Sequence, residues 1–314
     1  LSEKQVSLSG SGRLASCNPD PFCAYLSRMG AKAECTSHSL PMRVEGPLKE
    51  SKLVYFAELG TQFLSGILLC SPFSSEGVEI VIEGELAKWE HVEATLGIMK
   101  ACGIEIGTIG QDFIWVEPEQ AYLPCQLEVP PSSYLSSFPL LAGALCGKVE
   151  AKGNLALEKF FSLLQSFGAF AHHSSSSFSA SAGALSSSQF YVSDLAEFLP
   201  HAIVLASVCQ KPSAFHGIAA LKPRMKARLG ILLSELSKMG VRYENKGNTL
   251  EVLGCKLSGA NLDPQGDTIS ALALCTAALC ASGPSKMQGA DCITRVYPAF
   301  FKDMLQLGAI IRHI

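Results

Sequence analysis

Hydrophobic and polar positions along this chain repeat one phrase five times. It is an amphipathic helix ending in an apolar residue and a glycine, followed by an apolar strand. The copies are Tyr25-Leu-Ser-Arg-Met-Gly30-Ala-Lys-Ala, Leu96-Gly-Ile-Met-Lys-Ala-Cys-Gly103-Ile-Glu-Ile, Leu163-Leu-Gln-Ser-Phe-Gly168-Ala-Phe-Ala, Leu236-Ser-Lys-Met-Gly240-Val-Arg-Tyr and Met304-Leu-Gln-Leu-Gly308-Ala-Ile-Ile. The glycines follow one another at 73, 65, 72 and 68 residues. So even a period points to one supersecondary unit used repeatedly. The glycine closes each helix in the left-handed conformation, which costs least without a Cβ.

A second helix of different character lies between the copies. It is predicted at Gln62–Ser71, Tyr134–Cys146, Leu199–Cys209 and Thr268–Cys280, apolar almost all round and rich in Ala, Ser and Gly. Such helices are expected to be buried on every side. Each leads to an alternating strand, as in Val78-Glu-Ile-Val-Ile-Glu83, and each signature helix leads to two strands. Val241–Asn245 and Thr249–Leu253 are one such pair, joined by a Lys-Gly-Asn turn. The predicted unit is strand, buried helix, strand, exposed helix, strand, strand. Its packing places buried helices centrally, with sheets and the second helices outside, an α/β architecture. The prolines between Tyr122 and Pro131 mark a boundary, giving an N-terminal lobe of two repeats over 1–126 and a C-terminal lobe of three over 127–314. The Ser-rich stretch His172–Ser188 reads as a sheet edge and loop.

Composition narrows the function. The chain has 314 residues, 48% of them hydrophobic and 17% charged, enough for a large core. A net charge of −3 gives no electrostatic case for nucleic acid or an anionic membrane. The most apolar run, Ile269–Ser282, is too short to span a bilayer. No secretory signal is visible, and the twelve cysteines include no CxxC pair. They read as reduced, buried thiols of a cytoplasmic protein. The chain starts at Leu1 rather than Met, as a fragment or processed product would.

Five local motifs, in order, carry a family resemblance. They are Gly60-Thr-Gln-Phe-Leu-Ser-Gly-Ile-Leu-Leu-Cys-Ser-Pro72, Gly84-Glu-Leu-Ala-Lys-Trp-Glu-His-Val-Glu-Ala-Thr-Leu96, Leu221-Lys-Pro-Arg-Met-Lys-Ala-Arg228, Gln265-Gly-Asp-Thr-Ile-Ser-Ala-Leu272 and Cys292-Ile-Thr-Arg-Val-Tyr-Pro-Ala-Phe-Phe301. With the repeats, they resemble the enolpyruvyl transferases, and the 5-enolpyruvylshikimate-3-phosphate (EPSP) synthases more than the peptidoglycan enzyme. The resemblance implies a two-lobed inside-out α/β barrel of six βαβαββ repeats, of which this chain would hold five. The first repeat, with its Lys-Ser-x-x-x-Arg phosphate motif, would be the one absent.

The resemblance also implies a chemistry. Phosphoenolpyruvate is protonated, the shikimate 3-phosphate 5-hydroxyl attacks it, and phosphate leaves. Two anionic substrates call for Arg and Lys clamps with helix N-termini, and proton transfer calls for a base. No cofactor or metal is implied, and His172-His173 reads as a solvated turn. By position, Thr61, Gln62, Lys88, Arg228 and Asp267 are the implied substrate-binding residues. His201, Arg224 and Arg295 stand at implied catalytic positions, each as a substitution. His201 replaces an acidic residue and reads either as a base or as a packed histidine. The group Arg224, Lys226 and Arg228 reads either as a clamp or as a solvated helix start, where basic charge opposes the helix dipole. Met225, Ala227, Thr268, Ile269 and Ser132 replace acidic, His or Arg residues of the family pattern, Lys88 a serine, and Gly60 another phosphate-binding residue. The expected function is therefore EPSP synthase-like transfer with a degraded site. The alternative is an inactive paralogue kept as a ligand-binding or assembly module. A monomer is expected, with small anions as partners.

Overall fold

The computed structural model describes residues 4–312 except 12, 13, 16, 17, 37, 50, 87, 130, 131, 154, 155 and 175, with the backbone alone at 196. The chain divides into two compact units, Leu1–Val129 and Pro130–Ile314. Prolines 130 and 131 of the predicted boundary lie outside the described residues.

The first unit runs β1 (Val6–Leu8), α1 (Asp20–Arg28), β2 (Lys32–Thr36), β3 (Ser39–Glu45), β4 (Lys52–Phe56), α2 (Thr61–Cys70), β5 (Val78–Glu83), α3 (Trp89–Ala101), β6 (Ile106–Ile109) and β7 (Phe113–Val116). The second runs α4 (Ser133–Cys146), β8 (Lys148–Lys152), α5 (Glu158–Ser166), β9 (Phe170–His173), β10 (Ser177–Ser181), β11 (Gln189–Tyr191), α6 (Val192–Leu195), α7 (Leu199–Ala206), β12 (Ser213–His216), α8 (Pro223–Lys238), β13 (Arg242–Lys246), β14 (Thr249–Leu253), β15 (Asn261–Leu262), α9 (Thr268–Ala278), β16 (Lys286–Met287) and α10 (Phe300–Gln306).

Among the described residues, two repeats are complete and share one topology. In β4-α2-β5-α3-β6-β7 the sheet order is β4-β5-β7-β6; in β11-α7-β12-α8-β13-β14 it is β11-β12-β14-β13. In both, the first two strands are parallel and every other pairing is antiparallel. The alternation of β5 explains its place: Val78, Ile80 and Ile82 are buried, and the residues between them face outward.

All five signature glycines are left-handed, at φ +87, +83, +86, +101 and +97 for Gly30, Gly103, Gly168, Gly240 and Gly308. In each case the glycine N–H bonds the carbonyl three residues back, and the next N–H bonds the carbonyl five residues back. Gly240 bonds Ser237 at 3.0 Å and Val241 bonds Leu236 at 3.2 Å; Gly308 bonds Leu305 at 3.0 Å and Ala309 bonds Met304 at 2.9 Å. This double bond pattern is the Schellman closure, which satisfies two carbonyls the helix end would leave open.

The apolar helices differ between units. α4, α7 and α9 pack on one another, and every residue of α7 is buried. α2 departs from expectation: Gln62, Gly66 and Leu69 are exposed, and only Thr61, Leu64, Ile67 and Leu68 are buried. Full burial needs apolar neighbours all round; α3 packs along α2, and α1 reaches it through Phe22 and Tyr25 on Phe63, which leaves the side carrying Gln62, Gly66 and Leu69 open. The Ser-rich stretch also departs, since it supplies β10, the central strand of the β8-β10-β9 sheet. His172 and His173 end β9 rather than forming a turn, and His173 stacks on Phe161 with ring centroids 5.1 Å apart.

Candidate active site

In the second unit, α8 begins with Pro223 and carries Arg224, Lys226 and Arg228 on its first turns, with no acidic residue in the first turn. Positive charge there opposes the helix dipole. The protein supplies the compensating anion itself. Arg228 donates from Nε to Asp267 Oδ1 at 2.9 Å and from Nη2 to Asp267 Oδ2 at 3.1 Å, a bidentate pair about 90% buried on both sides. Asp267 is also the N-cap of α9, accepting from the Ser270 N–H at 2.8 Å. Burial pushes the Asp267 carboxyl up, but the Arg228 and Ser270 hydrogen bonds and the Arg228 charge outweigh it, and the group sits below its ordinary value.

Only one edge of the Arg228 guanidinium is not committed to Asp267. Its Nη1 faces the Met225 sulfur at 3.7 Å, a weak acceptor. Beside it lies a cavity of about 10 Å³ lined by Leu199, Pro200, Met225, Arg228, Leu229 and Leu232. That space holds at most about one water.

Tyr134, in the first turn of α4, joins this cluster. Its hydroxyl donates to the Glu197 carbonyl at 3.4 Å; burial pushes its phenol up, and the Arg228 charge partly counters that. Ser132, the N-cap of α4, accepts from the Leu135 N–H at 3.3 Å. Arg224 is exposed on the α8 start, and Lys226 donates to the Ala219 carbonyl at 2.6 Å. Arg295 ends the 3₁₀ segment Ala290–Arg295 and is exposed. That segment is tied to the α9 start by the Thr268 hydroxyl, which donates to the Cys292 carbonyl at 3.2 Å.

His201 shares Tyr134 with this cluster, their ring centroids 5.6 Å apart. It is fully buried inside a box of Tyr134, Phe138, Phe160 and Phe198, with the Phe138 ring centroid 4.3 Å away. The Ser137 hydroxyl donates to the Tyr134 carbonyl, so the His201 Nε2–H donates to Ser137 Oγ, at 2.7 Å. Nδ1 is then a bare lone pair with no hydrogen-bond partner among the described residues. Burial pushes the imidazole down to about 3. A general base must reach its proton, and a sealed imidazole does not. Of the two readings of His201, a base or a packed histidine, its full burial favours the second.

In the first unit, Thr61 and Gln62 open α2, and Lys88 is the N-cap of α3. Gly60, at φ +81, turns the chain into α2, and its carbonyl accepts from the Tyr55 hydroxyl at 2.6 Å. Thr61 is buried with Oγ1 3.4 Å from His91 Nδ1, whereas Gln62 is exposed. Lys88 is left-handed at φ +68, and its carbonyl accepts from the His91 N–H at 3.0 Å. Residue 87 of the Gly84–Leu96 motif lies outside the described residues. The two helix starts thus bring Thr61 and His91 together, with Lys88 one turn before His91. Sequence reasoning missed His91 and Tyr134. Tyr134 is the first residue of a predicted helix and His91 lies within the Gly84–Leu96 motif, and those placements were the available signal. Among the described residues, no three His, Cys, Asp or Glu side chains are arranged to hold a metal, and no helix is long and apolar enough to cross a membrane.

Solved structures with this fold include enolpyruvyl transferases. An EPSP synthase from Acinetobacter baumannii superposes with a TM-score of 0.75 at 16% identity, covering 97% of this chain and 74% of that one. The enolpyruvyl transferase NikO from Streptomyces tendae gives 0.78 at 18% identity, covering 99% and 74%. A sequence profile of the EPSP synthase (3-phosphoshikimate 1-carboxyvinyltransferase) family matches residues 1–304, and the chain belongs to that family. Among its relatives, the 3-phosphoshikimate 1-carboxyvinyltransferases of Methanocella arvoryzae and Thermococcus kodakarensis are 28% and 29% identical, over 98% and 96% of this chain and 75% and 74% of theirs.

Proposed function

We propose that the chain acts as an EPSP synthase-type enolpyruvyl transferase whose anion clamp is weakened. Its substrates would be phosphoenolpyruvate and shikimate 3-phosphate. The observation that carries this reading is Arg228: a guanidinium held by Asp267 at the start of α9, with one N–H edge left for an anion. A carboxylate or phosphate oxygen would take Nη1 while Asp267 fixes the plane of the group, a bidentate geometry that Lys does not offer. Arg224 and Arg295, exposed near the starts of α8 and α9, would supply further charge. In the first unit Thr61, Gln62 and Lys88 would hold the second anion at the α2 and α3 starts.

A second reading rests on a different observation. His201 is sealed, and Met225 stands where the resemblance implies a carboxylate, so neither position supplies a proton carrier. Losing one electrostatic contact costs roughly 3–4 kcal/mol of transition-state stabilisation, so the chain would then bind ligands without turning them over. Phosphate release from phosphoenolpyruvate with shikimate 3-phosphate, paired with calorimetry, separates the two. Turnover that is lost in Arg228→Lys supports transfer. Binding without phosphate release supports the module, and no binding of either substrate overturns both.

A further inference from the structure

We propose that the groove over β1 and β3 binds an uncharged apolar helix of a partner polypeptide, in the place that α4 holds in the second unit. Among the described residues each unit carries one three-stranded antiparallel sheet, β1-β3-β2 in the first and β8-β10-β9 in the second. In both, a signature helix packs on the last-named strand, α1 on β2 and α5 on β9. In the second unit α4 lies across the other two strands, β8 and β10. It lies so close that a Cβ on its Gly143 would meet the Ala180 carbonyl oxygen at 2.6 Å and the Val149 nitrogen at 2.8 Å. Over β1 and β3 the first unit has an apolar groove of about 390 Å³ instead.

Corresponding positions of the two sheets differ in burial. Val149 opposes Ala180 and Ala151 opposes Phe178; in the first unit Val6 opposes Val44 and Leu8 opposes Met42. Under α4, Val149 is 7% exposed, whereas its counterpart Val6 is 43% exposed and Leu8 48%. Met42 is buried, so the opening lies over β1. The apolar face of a sheet is kept from water by a second layer of structure. For Val6 and Leu8 that layer is absent among the described residues.

The opposite wall of the groove comes from helices. Phe22 and Leu26 lie one turn apart on α1, and Phe63 of α2 meets Phe22 with ring centroids 4.7 Å apart. One turn on from Phe63, a Cβ on Gly66 would meet nothing within 4 Å, so a helix has room to approach α2 closely there. No charged side chain lines the groove, and a charge on the inner face of the occupant would be buried without a partner. The α4 sequence meets that requirement: Ser133–Cys146 holds no charged residue and is rich in Leu, Ala and Ser. Recognition is of the helix-in-groove kind, with apolar anchors at helical spacing.

The probe is a fluorescein-labelled peptide of the α4 sequence, residues 133–146 with C146S and a lysine tag for solubility, titrated with the full chain and read by anisotropy. Saturable binding is expected, weakened about tenfold or more by Leu8→Asp or Leu26→Asp. Val81→Asp, at an exposed apolar site on β5, should leave it unchanged. A peptide carrying L140D and L141D should bind about tenfold more weakly. Leu8 already stands half in solvent, so Leu8→Asp keeps the fold, which far-ultraviolet circular dichroism checks. Binding that never saturates, or that Val81→Asp weakens equally, overturns the proposal. So does a dimer of the chain that Leu8→Asp dissociates and that binds no peptide, which would give the groove to a second copy. So does 8-anilinonaphthalene-1-sulfonate held at the groove with no peptide binding, which would make it a site for small apolar molecules.

Discussion

In the second unit three apolar helices, α4, α7 and α9, cover one another; in the first, α2 has the same kind of sequence and keeps an open side. Leu69 of α2 is 44% exposed, whereas Leu205 of α7 and Leu274 of α9 are fully buried. Beside α2 runs an apolar groove of about 390 Å³ lined by residues such as Val6, Leu8, Phe22, Leu26, Met42 and Phe63. The candidate sites differ in the same way. Thr61 and Gln62 start a helix with an exposed flank, while Arg228 and Asp267 sit where helix starts converge and leave almost no space. An apolar helix is thus buried by its neighbours and not by its composition, and the polar group at its start inherits that burial.

The largest effects expected are in the second unit. Arg228→Ala leaves the Asp267 carboxylate buried and unpaired, at a cost of about 3–5 kcal/mol. Leu274→Ala should cost about 2–5 kcal/mol through its cavity. The two tryptophans, Trp89 and Trp115, both lie in the first unit, so their fluorescence reports that unit while far-ultraviolet circular dichroism reports both. Urea titrations should show the dichroism midpoint falling in both variants and the tryptophan midpoint holding. Equal shifts in the two signals would break the comparison.

Acid should also single out the second unit. His201 has a folded value near 3 and an ordinary one near 6.5. Between those values the unfolded chain binds a proton that the folded chain refuses, so stability is lost as pH falls below about 6.5. At pH 5 the loss is about 2 kcal/mol. His201→Phe keeps an aromatic in the box and removes the titration; Ser137 retains the Tyr134 carbonyl. The variant should show a flatter stability profile between pH 7 and pH 5 than the parent. Parallel profiles would mean that His201 is not the group responsible.

The helix closures should cost the same in either unit, because the motif is local. An alanine in the left-handed conformation costs about 1–2 kcal/mol. At Gly103 its Cβ would also meet Leu123 Cδ1 at 2.9 Å, and at Gly240 the Cys255 sulfur at 3.2 Å. Gly103→Ala should therefore shift the tryptophan midpoint about as far as Gly240→Ala shifts the dichroism midpoint. These glycines are also why so much of the fold was legible. A Schellman closure is written within six consecutive residues, and the alternation of β5 within six more. The site was less legible because its geometry joins positions far apart in the chain. Arg228 and Asp267 were each visible as charged residues at helix starts, but nothing local indicates that they face each other. His201 reads alike as base or core residue until Phe138, Phe160 and Phe198 close around it. The exposed flank of α2 was hidden for the same reason, since it depends on what lies beside the helix.

The smallest expected effect is therefore the most discriminating. Leu69→Ser removes a large apolar side chain from a helix that reads as core, and a reading from composition alone expects a loss like that of Leu274→Ala. With nearly half of Leu69 already in solvent, the change should stay within about 0.5 kcal/mol, the range of ordinary surface sites. The tryptophan midpoint should hardly move. Because the substitution also trims an exposed apolar face, the variant should bind less 8-anilinonaphthalene-1-sulfonate than the parent. A loss of several kcal/mol in the tryptophan signal would show that Leu69 is covered in solution, and would erase the difference between the two units.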